Sequence, residues 1–267
     1  MPLRLLLTFL LGASACAADF RPVACEGVYP MHLQGICTND KDVIYWSWTD
    51  ALVKTDLQGS VRKKVPAANH HGDICYADGK IYCAVNLGKF NRPAGQEDSW
   101  VYVYDAGTLA ELARHPVKEL VHGAGGIAHH NGRFMVVGGL PPETNENYVY
   151  EYDAAFRFRK RHILDSGYTF MGIQTAAYAN GSWWFGCYGK PAVLLRADDQ
   201  LRLTGKWEFN ASVGIAGLPD DRFLIATNTR TRDGNSARVS FAAAGADGLE
   251  LIPETPVPAK APAHGLQ

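Results

Sequence analysis

A unit of two consecutive β-hairpins recurs five times along this 267-residue chain. The first hairpin of the unit reads QGICTNDKDVIYWSW, GDICYADGKIYCAV, GGIAHHNGRFMVVG, QTAAYANGSWWFGCYG and IAGLPDDRFLIATN in its successive copies. Each copy has a short apolar strand, a turn and a second strand. Three turns contain Asp78-Gly79, Asn131-Gly132 and Asn180-Gly181. Such dipeptides strongly indicate a two-residue hairpin, because both central positions need positive φ angles.

A second hairpin follows each first one. Its alternating strand ends near an aspartate and a polar outer strand follows, as in ALVKTDLQGSVRKKV, SWVYVYDAGTLAELARHPV and NYVYEYDAAFRFRKRHIL. The unit therefore has the period of about 40–50 residues that is typical of four-stranded propeller blades. The sequence predicts an all-β protein, a five-bladed β-propeller of four-stranded antiparallel blades. A β-sandwich is the alternative, but it does not predict five copies of one unit.

The stretch WVYVYDAGTLAEL resembles the repeats of bacterial β-propeller proteins of the quinoprotein and NHL kinds. This resemblance covers nearly all of the predicted single domain, residues 19–256, and implies a fold but no function. The predicted blades span residues 28–69, 70–121, 122–170, 171–213 and 214–256. We expect FRPVACEGVY, residues 20–29, to add a strand to the last blade and close the ring, which removes an open sheet edge.

The two ends of the chain differ from the repeats. Residues 1–18 combine Arg4, an apolar core and small residues up to Ala18, which is the pattern of a secretory signal peptide. We expect a secreted or periplasmic protein, and the alternative is a lipoprotein attached through Cys16. Residues 257–267 close a stretch rich in proline and alanine, which predicts a flexible tail.

The charges balance, with 26 Lys and Arg against 27 Asp and Glu, so nothing in them favours nucleic acid as a partner. No stretch approaches the roughly 20 apolar residues that a transmembrane helix needs. We expect a monomer. Five cysteines follow the predicted signal peptide, so at least one thiol has no intrachain partner. We expect most of them to be small buried residues on strands: Cys25, Cys37, Cys75, Cys83 and Cys187.

The histidines near the innermost strands fall into two groups. In a propeller this strand starts at the top face and descends the channel wall, so its first hairpin turn lies at the bottom. His129 and His130 lie in that turn, in HHNG, and are predicted to be solvated. A strand of five to six residues is roughly 17–20 Å long. His129 and His130 therefore cannot share a site with the histidines at the strand heads, where the innermost strands begin at the top face. Those at the heads are His32, His70, His71 and His122.

Strand heads around a common axis bring distant residues together, and the long loops 86–99 and 138–148 belong to the same face. The sequence therefore predicts a polar pocket at the top of the axis that binds a small polar molecule or a glycan. Its candidate ligand-binding residues are His32, Gln34, His70, His71, Asp73, Asn86, His122, Tyr168, Gln174, Tyr188 and Asn228.

The same histidines allow an alternative, a metal-dependent lyase or hydrolase. Neutral imidazoles are common ligands of divalent transition metals, and three of them with an open position suit a catalytic ion. In this alternative one such ion is held by ligands drawn from His32, His70, His71 and His122. A third interpretation is purely structural histidines that bond to backbone at the blade junctions. No cofactor is otherwise indicated, and the sequence does not decide whether the protein is an enzyme.

Other chemistries lack their motifs. The chain has no G-x-S-x-G elbow and no P-loop, and of the paired carboxylates that a glycosidase needs it offers only Asp73 at the strand heads. The stretch HLQGI resembles the FTQGL stretch of plant-type glutamine cyclotransferases, a family that is also five-bladed. The acidic residue that this family has beyond that stretch has no clear counterpart here, and Thr49 and Asp50 are the nearest candidates.

Overall fold

The computed structural model describes residues 21–253, and within that range every regular element is a β-strand. The strands form five antiparallel sheets arranged as a five-bladed propeller, which confirms the predicted fold class. The predicted signal peptide, Cys16 and the predicted tail all lie outside the described residues. No helix in the described part is long and apolar enough to span a membrane.

Each of the first four blades has its four strands in chain order from the axis outwards. The first comprises β2 (Leu33–Thr38), β3 (Val43–Trp48), β4 (Ala51–Asp56) and β5 (Val61–Pro66). The second comprises β6 (His71–Ala77), β7 (Lys80–Asn86), β8 (Ser99–Asp105) and β9 (Glu111–Pro116). The third comprises β10 (Ala124–His130), β11 (Arg133–Gly138), β12 (Asn147–Asp153) and β13 (Phe158–Leu164). The fourth comprises β14 (Phe170–Ala179), β15 (Ser182–Tyr188), β16 (Val193–Ala197) and β17 (Leu203–Glu208).

The fifth blade joins the two ends of the described chain. Its strands are β18 (Ile215–Gly217), β19 (Arg222–Thr231) and β20 (Gly234–Gly245), and two short strands share the outer edge of β20. These are β1 (Val23–Ala24) and β21 (Gly248–Leu251), which pair with different parts of β20. The prediction that residues 20–29 supply a strand to the last blade is confirmed, and this pairing closes the ring.

The core lies between neighbouring blades, where apolar side chains of adjacent sheets interdigitate. Trp46, Trp48, Trp183 and Trp184 are all fully buried, which agrees with packing between blades rather than ligand contact. Trp48 stacks on Tyr29 with ring centroids 3.9 Å apart, so the segment after β1 is packed into the first blade. Large aromatic side chains of this kind bury the greatest apolar area per residue.

All five cysteines of the described chain are unpaired and buried. Burial raises the pKa of each thiol, to about 12 for Cys187. The interpretation of these residues as small buried side chains is confirmed; four lie on strands, and Cys25 directly follows β1. Because the neutral thiol is favoured, these cysteines have the character of packing residues rather than nucleophiles.

Glycines let the innermost strands approach the axis closely. A Cβ on Gly35 of β2 would lie 2.1 Å from the Asp73 carboxylate oxygen, and one on Gly72 of β6 would lie 2.3 Å from the carbonyl oxygen of Gly125. A Cβ on Gly126 of β10 would lie 2.7 Å from the carbonyl oxygen of Gln174. Side chains at these positions would push the blades apart, so the glycines fix how narrow the centre is.

Candidate ligand-binding site

The propeller axis has a cavity at each mouth. The bottom cavity, of 160 Å³, is lined by residues of all five innermost strands, with Asp40, His129 and Tyr178 around its opening. The top cavity has a volume of 210 Å³ and is lined from four blades. His129 packs against Phe134 and lines the bottom cavity, whereas His122 lies at the opposite end of β10. The predicted separation of the two histidine groups is thus what the structure shows.

The top cavity collects six of the predicted ligand-binding residues. They come from the heads of the innermost strands and from the ends of β7 and β15. These six are His32, Gln34, His70, Asn86, Gln174 and Tyr188. Apolar and glycine residues complete the wall: Gly72, Gly88, Phe90, Ala124, Gly125 and Met171. Residues far apart in sequence therefore meet at one mouth of the axis.

A cluster of two imidazoles and one carboxamide forms one side of this cavity. The Gln34 amide nitrogen lies 2.9 Å from Nε2 of His32 and 3.0 Å from Nε2 of His70. It also lies 3.1 Å from Oγ1 of Thr49. A carboxamide nitrogen carries two hydrogens, so two of these three acceptors can be bonded at a time. Where an imidazole Nε2 accepts from Gln34, its proton is on Nδ1.

Both imidazoles of the cluster favour the neutral form. Burial lowers the pKa of His32 below its usual range. Burial of the ring also lowers the pKa of His70, with the neighbouring His32 as a second cause, although part of His70 is exposed. Near neutral pH the cluster therefore offers hydrogen-bond donors and acceptors rather than positive charges.

The opposite side of the cavity is set by a turn at the head of β14. The Gly172 amide donates to the Thr169 carbonyl, and Met171 and Gly172 have positive φ angles of 63° and 76°. The Gln174 amide nitrogen donates to the Met171 carbonyl at 2.7 Å, which fixes the carboxamide. Burial raises the pKa of Tyr188 to about 12, so its hydroxyl remains a donor.

Sequence reasoning missed Phe90, which lies in the long loop after β7 and lines the cavity. Its ring covers two glycines of the next blade, because a Cβ on Gly123 or Gly125 would lie 2.5 or 3.1 Å from it. Asn86 holds the base of the same loop, donating to the Gly88 carbonyl at 3.1 Å and accepting from the Asp98 amide at 3.1 Å. The sequence signal that could have indicated Phe90 is the run of glycines after His122, because residues without side chains leave room for an aromatic ring.

His71 lies outside the cavity, contrary to its place in both predicted sites. Its side chain is fully buried, with Nε2 2.8 Å from the Tyr104 hydroxyl and the ring edge-on to Tyr102. Burial and the adjacent His70 lower its pKa to about 3. Neighbouring residues of an extended chain point to opposite faces, so His70 and His71 cannot both face the axis.

Asp73 is also separate from the predicted pocket, because it lies between the two axial cavities. The preceding Gly72 lines the top cavity, and the following Ile74 lines the bottom one. The Oδ2 atom accepts the backbone amide of Ala176 at 2.9 Å, whereas Oδ1 has no hydrogen-bond partner among residues 21–253. Burial raises the pKa of Asp73 well above the usual range, although the nearby backbone amides of Ala176, Ile74, Ile36 and Ile127 favour the charged form. Asp73 thus bonds the innermost strand of the second blade to that of the fourth and has no exposed surface.

Three further predicted residues have other surroundings. Nδ1 of His122 lies 2.9 Å from the Arg92 carbonyl, so this imidazole anchors the loop after β7. Tyr168 is 40% exposed and does not line the top cavity. Asn228 lies in a neighbouring groove, where its side-chain oxygen accepts the backbone amide of Leu33 at 3.0 Å.

These placements separate the four histidines predicted as metal ligands. His71 points into the core and His122 into a loop, which leaves only His32 and His70 together. Within residues 21–253 no group of three or more His, Cys, Asp or Glu side chains is arranged to hold a metal ion. Of the four candidate metal ligands the structure therefore brings only His32 and His70 together.

Two wider depressions adjoin the top cavity. A groove of 920 Å³ runs between the fourth, fifth and first blades, and it shares His32 and Tyr188 with the cavity. A shelf of 720 Å³ is lined by Phe170, Met171, Tyr188, Gly189 and Lys190. Tyr188 lines all three spaces, and we call the three together the top-face depression.

No family model matches this chain, and no curated protein sequence matches it. Among solved structures, glutaminyl cyclase from Myxococcus xanthus superposes with a TM-score of 0.57 at 12% identity, over 88% of this chain and 99% of that one. Hydrazine synthase from Kuenenia stuttgartiensis has a TM-score of 0.47 at 11% identity, over 82% of this chain and 83% of that one, which is too weak to carry an argument.

This chain is a five-bladed β-propeller. The likeness to glutaminyl cyclase agrees with the propeller resemblance of the repeats and with the HLQGI stretch, and at 12% identity it shows the fold alone. Of the two acidic-site candidates beyond that stretch, Thr49 contacts the Gln34 amide from behind the cavity wall. Asp50 does not line the cavity, and neither does any other acidic residue of the described chain.

Proposed function

We propose that this propeller binds a small polar ligand, of the size of a monosaccharide or an acetylated amino acid, in the top axial cavity. The cavity volume of 210 Å³ is below the roughly 300–1,000 Å³ of pockets for drug-sized ligands, which supports a small ligand or one small part of a larger one. Its place at the top mouth of a rigid scaffold agrees with where such folds carry binding sites.

The observation that carries this proposal is the set of hydrogen-bonding groups left available in the cavity. The contacts above use the amide nitrogens of Gln34 and Gln174, and they leave the side-chain oxygen of Gln174 and the Tyr188 hydroxyl without a hydrogen-bond partner among residues 21–253. The Nδ1 groups of His32 and His70 add donors. A few fixed polar groups in a wall with Phe90 and Met171 are the usual composition of a selective small-molecule site.

The neutral character of the wall limits the chemistry. Because no carboxylate lines the cavity, it has no acid and base pair for glycoside cleavage. The hydrogen-bonding groups of the cavity support binding of a ligand, and the NMR measurement below tests whether the ligand is also converted. Export of the protein stays a prediction that rests on residues 1–18.

A ligand panel followed by thermal denaturation and calorimetry tests this proposal. The panel contains D-glucose, D-galactose, N-acetyl-D-glucosamine, N-acetyl-L-asparagine and, because the structural neighbour is a glutaminyl cyclase, L-glutaminyl-glycine. At least one compound is expected to raise the melting temperature. NMR spectra of the same mixtures report any chemical conversion, which would show an enzyme instead of a binding protein.

Two tyrosines give a matched pair of variants. Tyr188→Phe removes a hydroxyl inside the cavity, whereas Tyr168→Phe removes one from an exposed residue outside it. We expect Tyr188→Phe to weaken binding about fivefold to tenfold, since one hydrogen bond contributes roughly 1 kcal/mol. Tyr168→Phe should bind as the unchanged protein does. Equal affinities in both variants, or no binding by any compound, would overturn the proposal.

A further inference from the structure

The charged side chains that line the top-face depression are all positive. Arg230 lines the groove and Lys190 lines the shelf, and no acidic residue lines the cavity, the groove or the shelf. The whole chain has a net charge of −1, so this selection does not reflect a general excess of basic residues. A depression bounded only by positive charge favours anionic ligands and disfavours cations.

Arg230 and Lys190 also lack ion-pair partners within residues 21–253. Seven other arginines of the described chain, Arg62 and Arg222 among them, lie 2.5–2.8 Å from an Asp or Glu oxygen. Arg230 is exposed near the end of β19, and its guanidinium group is free to form a bidentate pair with an oxyanion.

The rest of the groove supplies neutral polar groups on fixed backbone. Asn228 donates to the Asn235 side-chain oxygen at 3.1 Å, and the Asn210 side-chain oxygen accepts from the Ser212 amide and hydroxyl. These residues hold one another in position. They leave the arginine as the strongest interaction available to a ligand that extends from the cavity.

We propose that the natural ligand is a small organic acid whose neutral polar part occupies the axial cavity and whose oxyanion pairs with Arg230 in the groove. This inference rests on the proposed function, because it assumes that the axial cavity binds a ligand. His32 and Tyr188 line both spaces and lie where the two parts of such a molecule would join.

Acid and neutral compounds of nearly equal shape test the inference. The pairs are D-glucuronate with D-glucose, D-galacturonate with D-galactose, and N-acetyl-L-aspartate with N-acetyl-L-asparagine, each measured by calorimetry. The acid of at least one pair is expected to bind about tenfold more tightly, the effect of one charge-assisted hydrogen bond. The preference should fall at high salt, since the groove is open to solvent.

Two arginines of the same hairpin supply the variants. Arg230→Gln should reduce the preference for the acid to about twofold or less, whereas Arg232→Gln, at an exposed position that does not line the groove, should keep it. An NMR titration gives a second readout, because an anion bound beside His32 should raise the pKa of that imidazole and the neutral compound should not.

The outcomes separate this inference from the proposed function. Neutral compounds that bind as well as the acids, with affinity still lost in Tyr188→Phe, would overturn the inference and keep the binding site. An acid preference that survives Arg230→Gln, or that Arg232→Gln reduces equally, would also overturn it. No binding by any compound would overturn both.

Discussion

Asp73 is the residue on which the geometry of the axis most depends. Its carboxyl group is fully buried and accepts the backbone amide of Ala176, and the amides of Ile36, Ile74 and Ile127 lie near enough to favour its charged form. These residues belong to the innermost strands of four blades. Near pH 4, where the raised pKa of Asp73 does not yet reduce stability, Asp73→Ala leaves the buried N–H group of Ala176 without its acceptor. An unsatisfied buried N–H group costs about 1–3 kcal/mol, so the free energy of unfolding at this pH should fall by about 2 kcal/mol. For a domain of this size the melting temperature should fall by about 4–8 °C.

Asp73→Asn distinguishes the protonation state of the native residue. Burial holds the folded-state pKa of Asp73 well above its unfolded value, so between these two pKa values the folded protein keeps a proton that the unfolded chain has lost. The wild-type protein therefore loses stability as the pH rises above about 4, by about 1.4 kcal/mol per unit until the folded pKa is reached. A carboxamide resembles the protonated acid and does not titrate. The variant should match the wild type near pH 4 and exceed it increasingly as the pH rises towards the folded pKa.

Urea unfolding monitored by tryptophan fluorescence measures both effects, because the buried tryptophans report loss of the core. Asp165 is exposed and gives matched controls, in which Asp165→Ala and Asp165→Asn should leave stability nearly unchanged. An Asp73→Ala protein within about 0.5 kcal/mol of the wild type near pH 4 would refute the role of this carboxyl in joining the blades. A wild type that gains stability over Asp73→Asn as the pH rises would show that the backbone amides outweigh burial and hold a carboxylate.

Three further predictions follow from the same packing. Gly126→Ala should lower the free energy of unfolding by about 1–3 kcal/mol, because its Cβ would lie 2.7 Å from the Gln174 carbonyl oxygen. Urea unfolding measures this loss, and Gly107→Ala, at an exposed turn position, is the control. His122→Ala should speed tryptic cleavage after Lys89 with little change in melting temperature, because the imidazole anchors that loop. Between about pH 3 and 6.5 the wild-type protein should become more stable as the pH rises, because the lowered pKa of about 3 keeps folded His71 neutral while the unfolded chain binds a proton. His71→Gln should remove this rise in stability. A pH profile of stability that the substitution leaves unchanged would contradict the lowered pKa.

The blades, and the face of the propeller on which each histidine lies, could be predicted because their sequence signals are local. Asn131-Gly132 and its equivalents specify hairpin turns from two residues, and the repeat then assigns each turn to the bottom face. This reasoning separated His129 from His122 correctly. It required only the order of strands in a blade, without any knowledge of side-chain packing.

The residues that face the cavity could not be predicted in full, because the strand heads are irregular. The pairing register shifts between Leu33 and Gly35 in β2, between His71 and Ile74 in β6, and between Phe170 and Ile173 in β14. Such bulges re-aim the side chains next to them, so alternation counted from the middle of a strand fails at its head. This is why His70 rather than His71 faces the axis. No local pattern marks these shifts.

The same irregularity explains why the axis is closed in its middle and open at the top. Below the shifted heads, the glycines let the strands converge until Asp73 fills the remaining space, and the cavities on either side share no lining residue. Above them, the top cavity of 210 Å³ lies between the shifted strand heads. Because Asp73 lies between the two cavities, we expect a ligand to reach the top cavity from the top face. Its selection depends on the top-face depression, and the bottom mouth with His129 belongs to a separate surface.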